Sequence, residues 1–238
     1  MRRLGGGAKN VISTIVTPFT PGDLAGLTAW FRGDSLVDAG GGTANQWTDK
    51  SGNGRNATQG NGALQPTIQP AGLGGKAAAT WGGTQYMTGT LLAGLNDLTI
   101  WTVVSPVPQV GRGDMFGFGA YRQVFGFLSA QLEAYNNADL VYADLVAAAA
   151  TPYATQHQVD SSNNHWNAFL NSVASAQNPK VSAVATTSTN FVVGSGDTPP
   201  GNGQYVGDIS EIILIDHVST PTEDAQVHAY FQQYYGLP

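Results

Sequence analysis

The segment Ile212–Ile215 constrains the fold more than any other part of the chain. It lies inside GDISEIILIDHV (Gly207–Val218) and consists of apolar residues with no polar residue between them. Successive side chains of a β-strand point to opposite faces of the sheet, so a half-exposed strand alternates apolar with polar residues. A strand that is apolar at every position is covered on both faces. The sequence therefore predicts a strand inside a layered structure.

The C-terminal segment carries the start and stop signals of a helix. Thr220–Glu223 (TPTE) has the capping-box pattern with proline at the first helical position, and Gly236 follows as a stop signal. Between them, apolar residues recur at the i, i+4, i+7 and i+8 spacing of one helix face, namely Val227, Phe231, Tyr234 and Tyr235. We therefore predict one C-terminal helix that begins at Pro221 and ends before Gly236.

The composition of the remaining chain favours short strands joined by turns. Only 11% of the residues are charged, against about 25% in an average domain, while glycine occurs 31 times and proline 12 times. Helices usually keep charged residues on their exposed face, so neutral polar residues with many glycines indicate strands and Gly/Asn turns. The predicted strands lie within Gly26–Val37, Gln65–Gln69, Ala77–Trp81, Asp97–Val107, Met115–Ala120, Gln123–Ser129, Leu132–Tyr135, Ala138–Leu145, Tyr153–Val159, His165–Asn171, Asn190–Gly196 and Gly207–Val218.

Several classes of site and partner are disfavoured by simple counts. The chain has 0 cysteines, which excludes disulfides and thiolate metal sites. Its net charge of -6, without a basic cluster, argues against binding to nucleic acid. No apolar run approaches the ~20 residues of a membrane span, so we expect no membrane partner.

The first 22 residues differ in character from the rest. MRRLGGGAKN has the positive end of a signal peptide, but Val11–Val16 is shorter than the ~7–15-residue apolar region required, so we expect an unprocessed, extended arm over 1–22 and one domain over 23–238. Its apolar residues can add a strand to a neighbouring sheet edge. The predicted partner-binding residues are Val11, Ile12, Ile15, Val16 and Phe19.

The stretch WTDKSGNGRNATQ (Trp47–Gln59) contains the opening spacing of a calcium loop. Asp49, Ser51, Asn53 and Gly54 match D-x-[DNS]-x-[DN]-G, but position 12 of an EF-hand loop is a bidentate Glu and here it is Gly60. The favoured interpretation is a turn in which Asp49 and Ser51 accept backbone N–H groups while Gly52 and Gly54 take positive φ. The alternative is a calcium site that uses Asp49 and Asn53, and no other cofactor is expected.

Motifs along most of the chain resemble those of one superfamily. WTDKSGNGRNATQ, then QPTIQPAGLGGKAAATWGGTQYM, then YATQHQVDSSNNHWNAFLNSVAS, and finally GDISEIILIDHVSTPTEDAQVHAYFQQYYGL are similar to the laminin-G-like branch of the concanavalin A-like lectins and glucanases. The resemblance covers about 26–237. It implies an all-β, two-sheet antiparallel jelly-roll sandwich with one C-terminal helix, which agrees with the strand and helix patterns.

The catalytic motif of that superfamily's glucanases is missing. These enzymes carry E-x-D-x-x-E on one strand, which places two carboxylates on one face about 5–5.5 Å apart. The nearest cluster here is Asp208, Glu211 and Asp216, and their odd separations predict that Glu211 points away from the other two in an unbulged strand. We expect Asp208 and Glu211 to bond turn amides or a neighbouring cation, and we expect no enzymatic activity.

Carbohydrate binding is the second functional class that the resemblance implies. Aromatic rings on such domains stack on sugar rings, and the candidates here are Trp47, Trp81, Tyr86 and Tyr121, with Tyr135 as a further one. Aromatic residues of this kind are, however, more often found in a core. Sequence alone leaves both interpretations open.

Two functional hypotheses follow. The first is a non-catalytic virion surface component of a bacteriophage, either a capsid decoration or a tail protein. It is expected to be a homo-oligomer or to be present in many copies, anchored to other virion proteins by its arm. The second is a lectin-like carbohydrate-binding module of an extracellular or cell-surface protein, whose partners are cell-surface glycans. Both require a durable sandwich with a neutral polar surface.

Overall fold

The computed structural model describes residues 18–107, 109–119, 123–136, 139–177, 187–196 and 203–238. These residues form two antiparallel sheets and one α-helix, so the predicted all-β sandwich with a C-terminal helix is confirmed. The strands are β1 (Leu27–Arg32), β2 (Leu36–Asp38), β3 (Ala44–Trp47), β4 (Ala57–Thr58), β5 (Thr67–Gln69), β6 (Ala78–Gly82), β7 (Met87–Thr90), β8 (Leu98–Pro106), β9 (Arg112–Phe118), β10 (Gln123–Leu128), β11 (Gln131–Asn136), β12 (Asp139–Val146), β13 (Tyr153–Asp160), β14 (His165–Leu170), β15 (Val173–Ala174), β16 (Asn190–Val193) and β17 (Val206–Ile215).

The strands are divided between two sheets, which we call A and B. Sheet A has the order β15-β14-β13-β8-β17-β6-β5, and β1 also pairs with β17. Sheet B has the order β12-β11-β10-β9-β16-β7-β4-β3-β2. Some neighbours are consecutive strands, but others, such as β8 and β17 or β9 and β16, come from distant parts of the chain, so the sandwich forms by crossovers between the sheets as well as by hairpins.

Strand β17 lies inside sheet A and is apolar on both faces, as predicted. Ile212 and Leu214 point into the core between the two sheets, together with residues such as Trp47 and Trp81. Ile213 and Ile215 point the other way, into a second apolar cluster under the helix. The absence of alternation in Ile212–Ile215 therefore reflects a strand with a layer on each side.

A β-bulge interrupts β17 just before this apolar run. The register with β8 shifts between Ile209 and Glu211. Because of the extra residue, Ile209 and Ile212 both point into the core between the sheets although they are three positions apart. The bulge thereby turns Glu211 to the outer face of sheet A.

The helix α1 (Pro221–Tyr235) covers this outer face of sheet A. The Thr220 side chain accepts the N–H of Glu223, and the Glu223 carboxylate accepts the N–H of Thr220, which completes the predicted capping box. Gly236 ends the helix at φ 70. The helix packs on sheet A through Val227, Tyr230, Phe231 and Tyr235.

The arm predicted for 1–22 is described only from Pro18 onward. Val11, Ile12, Ile15 and Val16 lie outside the described residues. Phe19 is partly buried against the cluster under the helix, and Pro21 is buried in a short 3-10 turn over Pro21–Asp23. Within the described residues, no helix is both long enough and apolar enough to span a membrane.

Candidate binding groove on sheet B

The two sheets differ in what covers their outer faces. Sheet A carries α1, whereas strands β4, β7 and β16 of sheet B carry exposed polar side chains on the face away from the core. In β7, Met87 is fully buried while Thr88 and Thr90 are exposed, and in β16, Phe191 is fully buried while Asn190 is exposed. This alternation leaves a polar surface in the middle of sheet B.

These polar residues stand opposite one another across the strands. Thr58 of β4 pairs with Thr88 of β7, and Thr90 of β7 pairs with Asn190 of β16. Residues directly opposite in antiparallel strands have Cβ atoms about 4.5–5.5 Å apart. The result is a small, regular array of hydroxyl and amide groups held by a rigid sheet.

The array forms the floor of a groove of about 730 Å³. Ser188 and Gly119 flank it on one side, and Gly54, Arg55 and Asn56 flank it on the other. Arg55 is the one charged residue among the described residues that line the groove. The groove therefore offers many hydrogen-bond donors and acceptors with a single positive charge at its wall.

The wall that contains Arg55 belongs to the loop with the calcium-like spacing. Oδ1 of Asp49 accepts hydrogen bonds from the N–H of Trp30 at 3.0 Å and from the N–H of Ser51 at 2.9 Å. Oδ2 accepts hydrogen bonds from Ser51 Oγ at 2.7 Å and from the N–H of Arg55 at 2.9 Å. Gly52 and Gly54 take φ of 87° and 71°. The turn interpretation is confirmed, because both carboxylate oxygens are used to hold the backbone.

Asn53, the other residue of the calcium hypothesis, also serves the turn. Its Nδ2 donates to the carbonyl oxygens of Leu27 and Thr28 at 2.9 and 3.2 Å. Arg55 Nη1 donates to the same Thr28 carbonyl at 2.7 Å. Within the described residues, no three His, Cys, Asp or Glu side chains are grouped to hold a metal ion.

The carboxylate of Glu211 lies buried between sheet A and α1. It accepts hydrogen bonds from Trp30 Nε1 at 2.6 Å, from Tyr235 OH at 2.7 Å and from Tyr230 OH at 3.0 Å. Burial raises the pKa of Glu211 from 4.5 to about 7, although the hydrogen bonds and the nearby Arg32 favour the charged form. Glu211 therefore ties β1, β17 and the helix together and faces no open cleft.

Two sequence predictions about the acidic cluster are wrong. Asp208 and Glu211 lie on the same face of sheet A, because the bulge after Ile209 changes the alternation. Their partners are also different from those expected, since Asp208 accepts the hydroxyl of Thr80 at 2.5 Å and Glu211 accepts one indole and two phenol groups. The two carboxylates have separate partners and do not flank a common space.

The predicted sugar-stacking residues lie elsewhere than in the groove. The stacking prediction is wrong for Trp47 and Trp81, whose side chains are 0% and 1% exposed in the core between the sheets. Tyr86 is half-buried beside the loop that contains Gln59, outside the groove. Tyr121 lies outside the described residues. Phe191 is the one aromatic residue among the described groove residues, and its ring is buried in the core.

The groove residues themselves were missed by sequence reasoning. Thr58, Thr88, Thr90 and Asn190 belong to three short strands whose pairing the sequence does not reveal, and Asn56 lies in the loop just before β4. The available signal is the alternation Met87-Thr88-Gly89-Thr90, in which threonine occupies every second position. Four residues are too few for such a pattern to stand out.

Comparison with known proteins supports the fold. Neither a protein-family model nor a curated protein sequence matches this chain. A similar solved structure is domain 4 of an extracellular GH43 arabinanase from Geobacillus stearothermophilus, in complex with arabinotriose. The match has a TM-score of 0.53 and 17% identity, and it covers 85% of this chain and 97% of that one. A pentraxin from Limulus polyphemus has a TM-score of 0.52 and 15% identity, covering 63% and 80%.

Receptor-binding domains of botulinum neurotoxins are also similar. The serotype D ligand-binding domain, in complex with N-acetylneuraminic acid, has a TM-score of 0.61 and 8% identity, and the match covers 90% of this chain and 54% of that one. This chain thus spans about half the length of those binding domains. At these identities the similarities show a shared fold, a jelly-roll β-sandwich.

Proposed function

We propose that this chain is a carbohydrate-binding β-sandwich domain whose ligand lies in the groove on sheet B. The observation that carries the proposal is the exposed array of Thr58, Thr88, Thr90 and Asn190 at the floor of the groove. Sugar hydroxyls both donate and accept hydrogen bonds, as do threonine hydroxyls and the asparagine amide. Ligand sites commonly have volumes of about 300–1,000 Å³, and the groove lies within this range.

The similar structures support this class of ligand. The arabinanase domain was solved with arabinotriose and the serotype D neurotoxin domain with N-acetylneuraminic acid. In the described part of the groove, recognition relies on hydrogen bonds, because no aromatic ring is exposed there for stacking. Arg55 at the wall adds a positive charge, which favours a glycan with an acidic group over its neutral equivalent.

We propose further that the domain binds without catalysis, that it acts outside the cell or at a cell surface, and that it belongs to the laminin-G-like branch over 23–238. The non-catalytic role is supported by Glu211, which is enclosed under the helix, and by Asp208, which is bonded to Thr80. The virion-component hypothesis stays a prediction. None of the similar structures named above is a virion protein, and most of the arm on which it depends lies outside the described residues.

The proposal is tested by titrating the chain with arabinotriose, N-acetylneuraminic acid and a glycan array, each with and without calcium. The double variant Thr88→Val, Asn190→Ala removes groove hydrogen bonds while it keeps the strands, and we expect it to lose at least about tenfold in affinity. Thr67→Val is the matched control, because Thr67 is an exposed strand threonine on the other sheet. A wild-type chain that binds none of these glycans, or a double variant that binds as tightly as Thr67→Val, contradicts the proposal.

A further inference from the structure

A second cavity lies on the opposite side of the sandwich, where the start of α1 crosses β13 and β14. Its volume is about 520 Å³, and its lining includes Gln156 and Gln158 of β13, Phe169 of β14, and Asp224 and His228 of α1. It is separated from the sheet B groove by the whole thickness of the sandwich. None of the contacts proposed for glycan binding in the groove involves this cavity.

The carboxylate of Asp224 is held in a fixed position at this cavity. Its Oδ1 accepts hydrogen bonds from Ser219 Oγ at 2.6 Å and from Gln156 Nε2 at 2.7 Å. Its Oδ2 has a single and much longer contact, with Gln158 Nε2 at 3.5 Å. Because one oxygen is fully used and the other is nearly free, the carboxylate is oriented in advance to accept a hydrogen bond from a ligand.

Two further polar groups at the cavity have unused hydrogen-bonding capacity. Gln156 is 0% exposed, and its Oε1 has no hydrogen-bond partner among the described residues. His228 is half-buried and makes no hydrogen bond to any described residue, and burial lowers its pKa below 6.5, so its ring offers one donor and one acceptor near neutral pH. A buried polar atom without a partner is costly, and the half-buried imidazole of His228 can bond a ligand hydroxyl.

Phe169 adds an apolar surface next to these polar groups. It is partly exposed on β14, whose neighbours Ala168 and Leu170 point into the core, so its ring lies on the outer face. An apolar ring face beside a carboxylate, an imidazole and amides matches a sugar ring, which has a C–H face and hydroxyl groups at its edge. An anionic ligand is disfavoured because Asp224 carries the fixed charge of the site.

We propose that this cavity, with Asp224, His228, Gln158 and Phe169 around it, is a second binding site that takes one neutral sugar ring. The site goes beyond the groove and does not depend on it. Two sites on opposite faces allow one domain to engage two glycan segments or two chains at once, which raises the overall affinity through multivalency.

The site is tested by recording amide NMR spectra of the full chain with arabinose, galactose and glucose as separate probes. We expect at least one sugar to shift the signals of 156–158 and 224–228. The variant Ala225→Arg places a long side chain at the cavity from an exposed helix position and should abolish these shifts, and Phe169→Ala should weaken them. Thermal unfolding of both variants checks that the fold is kept.

The double variant Thr88→Val, Asn190→Ala separates the two proposals, since it should leave the shifts at 224–228 unchanged. Shifts at the cavity, together with no binding in the groove by arabinotriose, N-acetylneuraminic acid or any array glycan, would refute the proposed groove and keep the second site. The second-site proposal is overturned if no sugar shifts the cavity signals. It is also overturned if the sugar-induced shifts persist in Ala225→Arg. If the cation tetramethylammonium shifts the signals and the sugars do not, the cavity is a cation site and the proposal is likewise overturned.

Discussion

The outer face of sheet A is covered by α1 and contains the fully buried carboxylate of Glu211, whereas the outer face of sheet B is open and carries exposed Thr88, Thr90 and Asn190. Both faces belong to antiparallel sheets, but the two sheets are built from different strands. On the covered face, a polar group is tolerated because Trp30, Tyr230 and Tyr235 satisfy it completely. On the open face, polar groups remain available to a ligand.

Stability and ligand binding are therefore assigned to different faces of this molecule. Changes on the covered face remove hydrogen bonds that nothing replaces, so they should lower the free energy of unfolding and leave groove binding intact. The polar side chains on the open face are already exposed to water, so removing them should lower affinity and leave stability intact. The following variants test this separation.

The largest effect is expected for Glu211→Ala. This change leaves one indole and two phenol donors without their acceptor and opens a cavity under the helix, which should cost about 3–5 kcal/mol of unfolding free energy. Asp208→Ala is the matched control in the same strand, where one threonine hydroxyl loses its acceptor and about 1 kcal/mol is expected. Denaturant unfolding measures both, and equal losses in the two variants contradict the role assigned to Glu211.

The second effect is a pH dependence of stability that comes from Glu211. The pKa of Glu211 is about 7 in the folded chain, which is above its ordinary value of 4.5, because burial disfavours the charged form. Between pH 4.5 and 7 the unfolded chain releases this proton while the folded chain retains it. The contribution of protonated Glu211 to the free energy of unfolding is therefore fully present below pH 4.5. This contribution, on the order of 3 kcal/mol, is lost as the pH rises to about 7.

Glu211→Gln isolates this contribution, since an amide keeps the shape and has no proton to lose. We expect the difference in unfolding free energy between wild type and Glu211→Gln to change over pH 4.5–7 and to stay constant above it. The measurement is denaturant unfolding at a series of pH values. A difference that is independent of pH would show that Glu211 is charged throughout and that its hydrogen bonds outweigh burial.

The features predicted from sequence are those that depend on neighbours along the chain. The helix was predicted from its capping box and from Gly236, and the covered strand from Ile212–Ile215, because each signal is complete within one segment. The bulge at Ile209–Glu211 depends on how β17 pairs with β8, so alternation counted along one strand placed Glu211 on the wrong face.

The groove was missed for a related reason. Thr58, Thr88 and Asn190 come from three segments that only strand pairing brings together, and each segment is too short to show a clear pattern. The burial of Trp47 and Trp81 was equally undetermined, because an aromatic ring suits both a core and a sugar platform. Sequence thus predicts the layers of this fold better than the surface that the layers create.

A third and smaller effect concerns the loop between β3 and β4, in which Asp49 accepts a hydrogen bond from β1 of sheet A. Asp49→Ala removes four hydrogen bonds, including the one from the buried Trp30 N–H, and should cost about 2 kcal/mol. Asp38→Ala is the control, because Asp38 accepts two N–H groups in an exposed turn. We also expect calcium to leave the melting temperature of the wild-type chain unchanged. A calcium-dependent rise that Asp49→Ala abolishes would instead establish a calcium site here.

The smallest effect on stability is expected for Thr88→Val alone. Thr88 is exposed and valine has the same shape and a strong strand preference, so the free energy of unfolding should change by less than about 0.5 kcal/mol. The same variant should lower glycan affinity by several-fold, because a groove hydroxyl is lost while the strand stays in place. A variant that unfolds more easily and binds normally would mean that the open face also stabilises the fold, and the separation between the two faces would then fail.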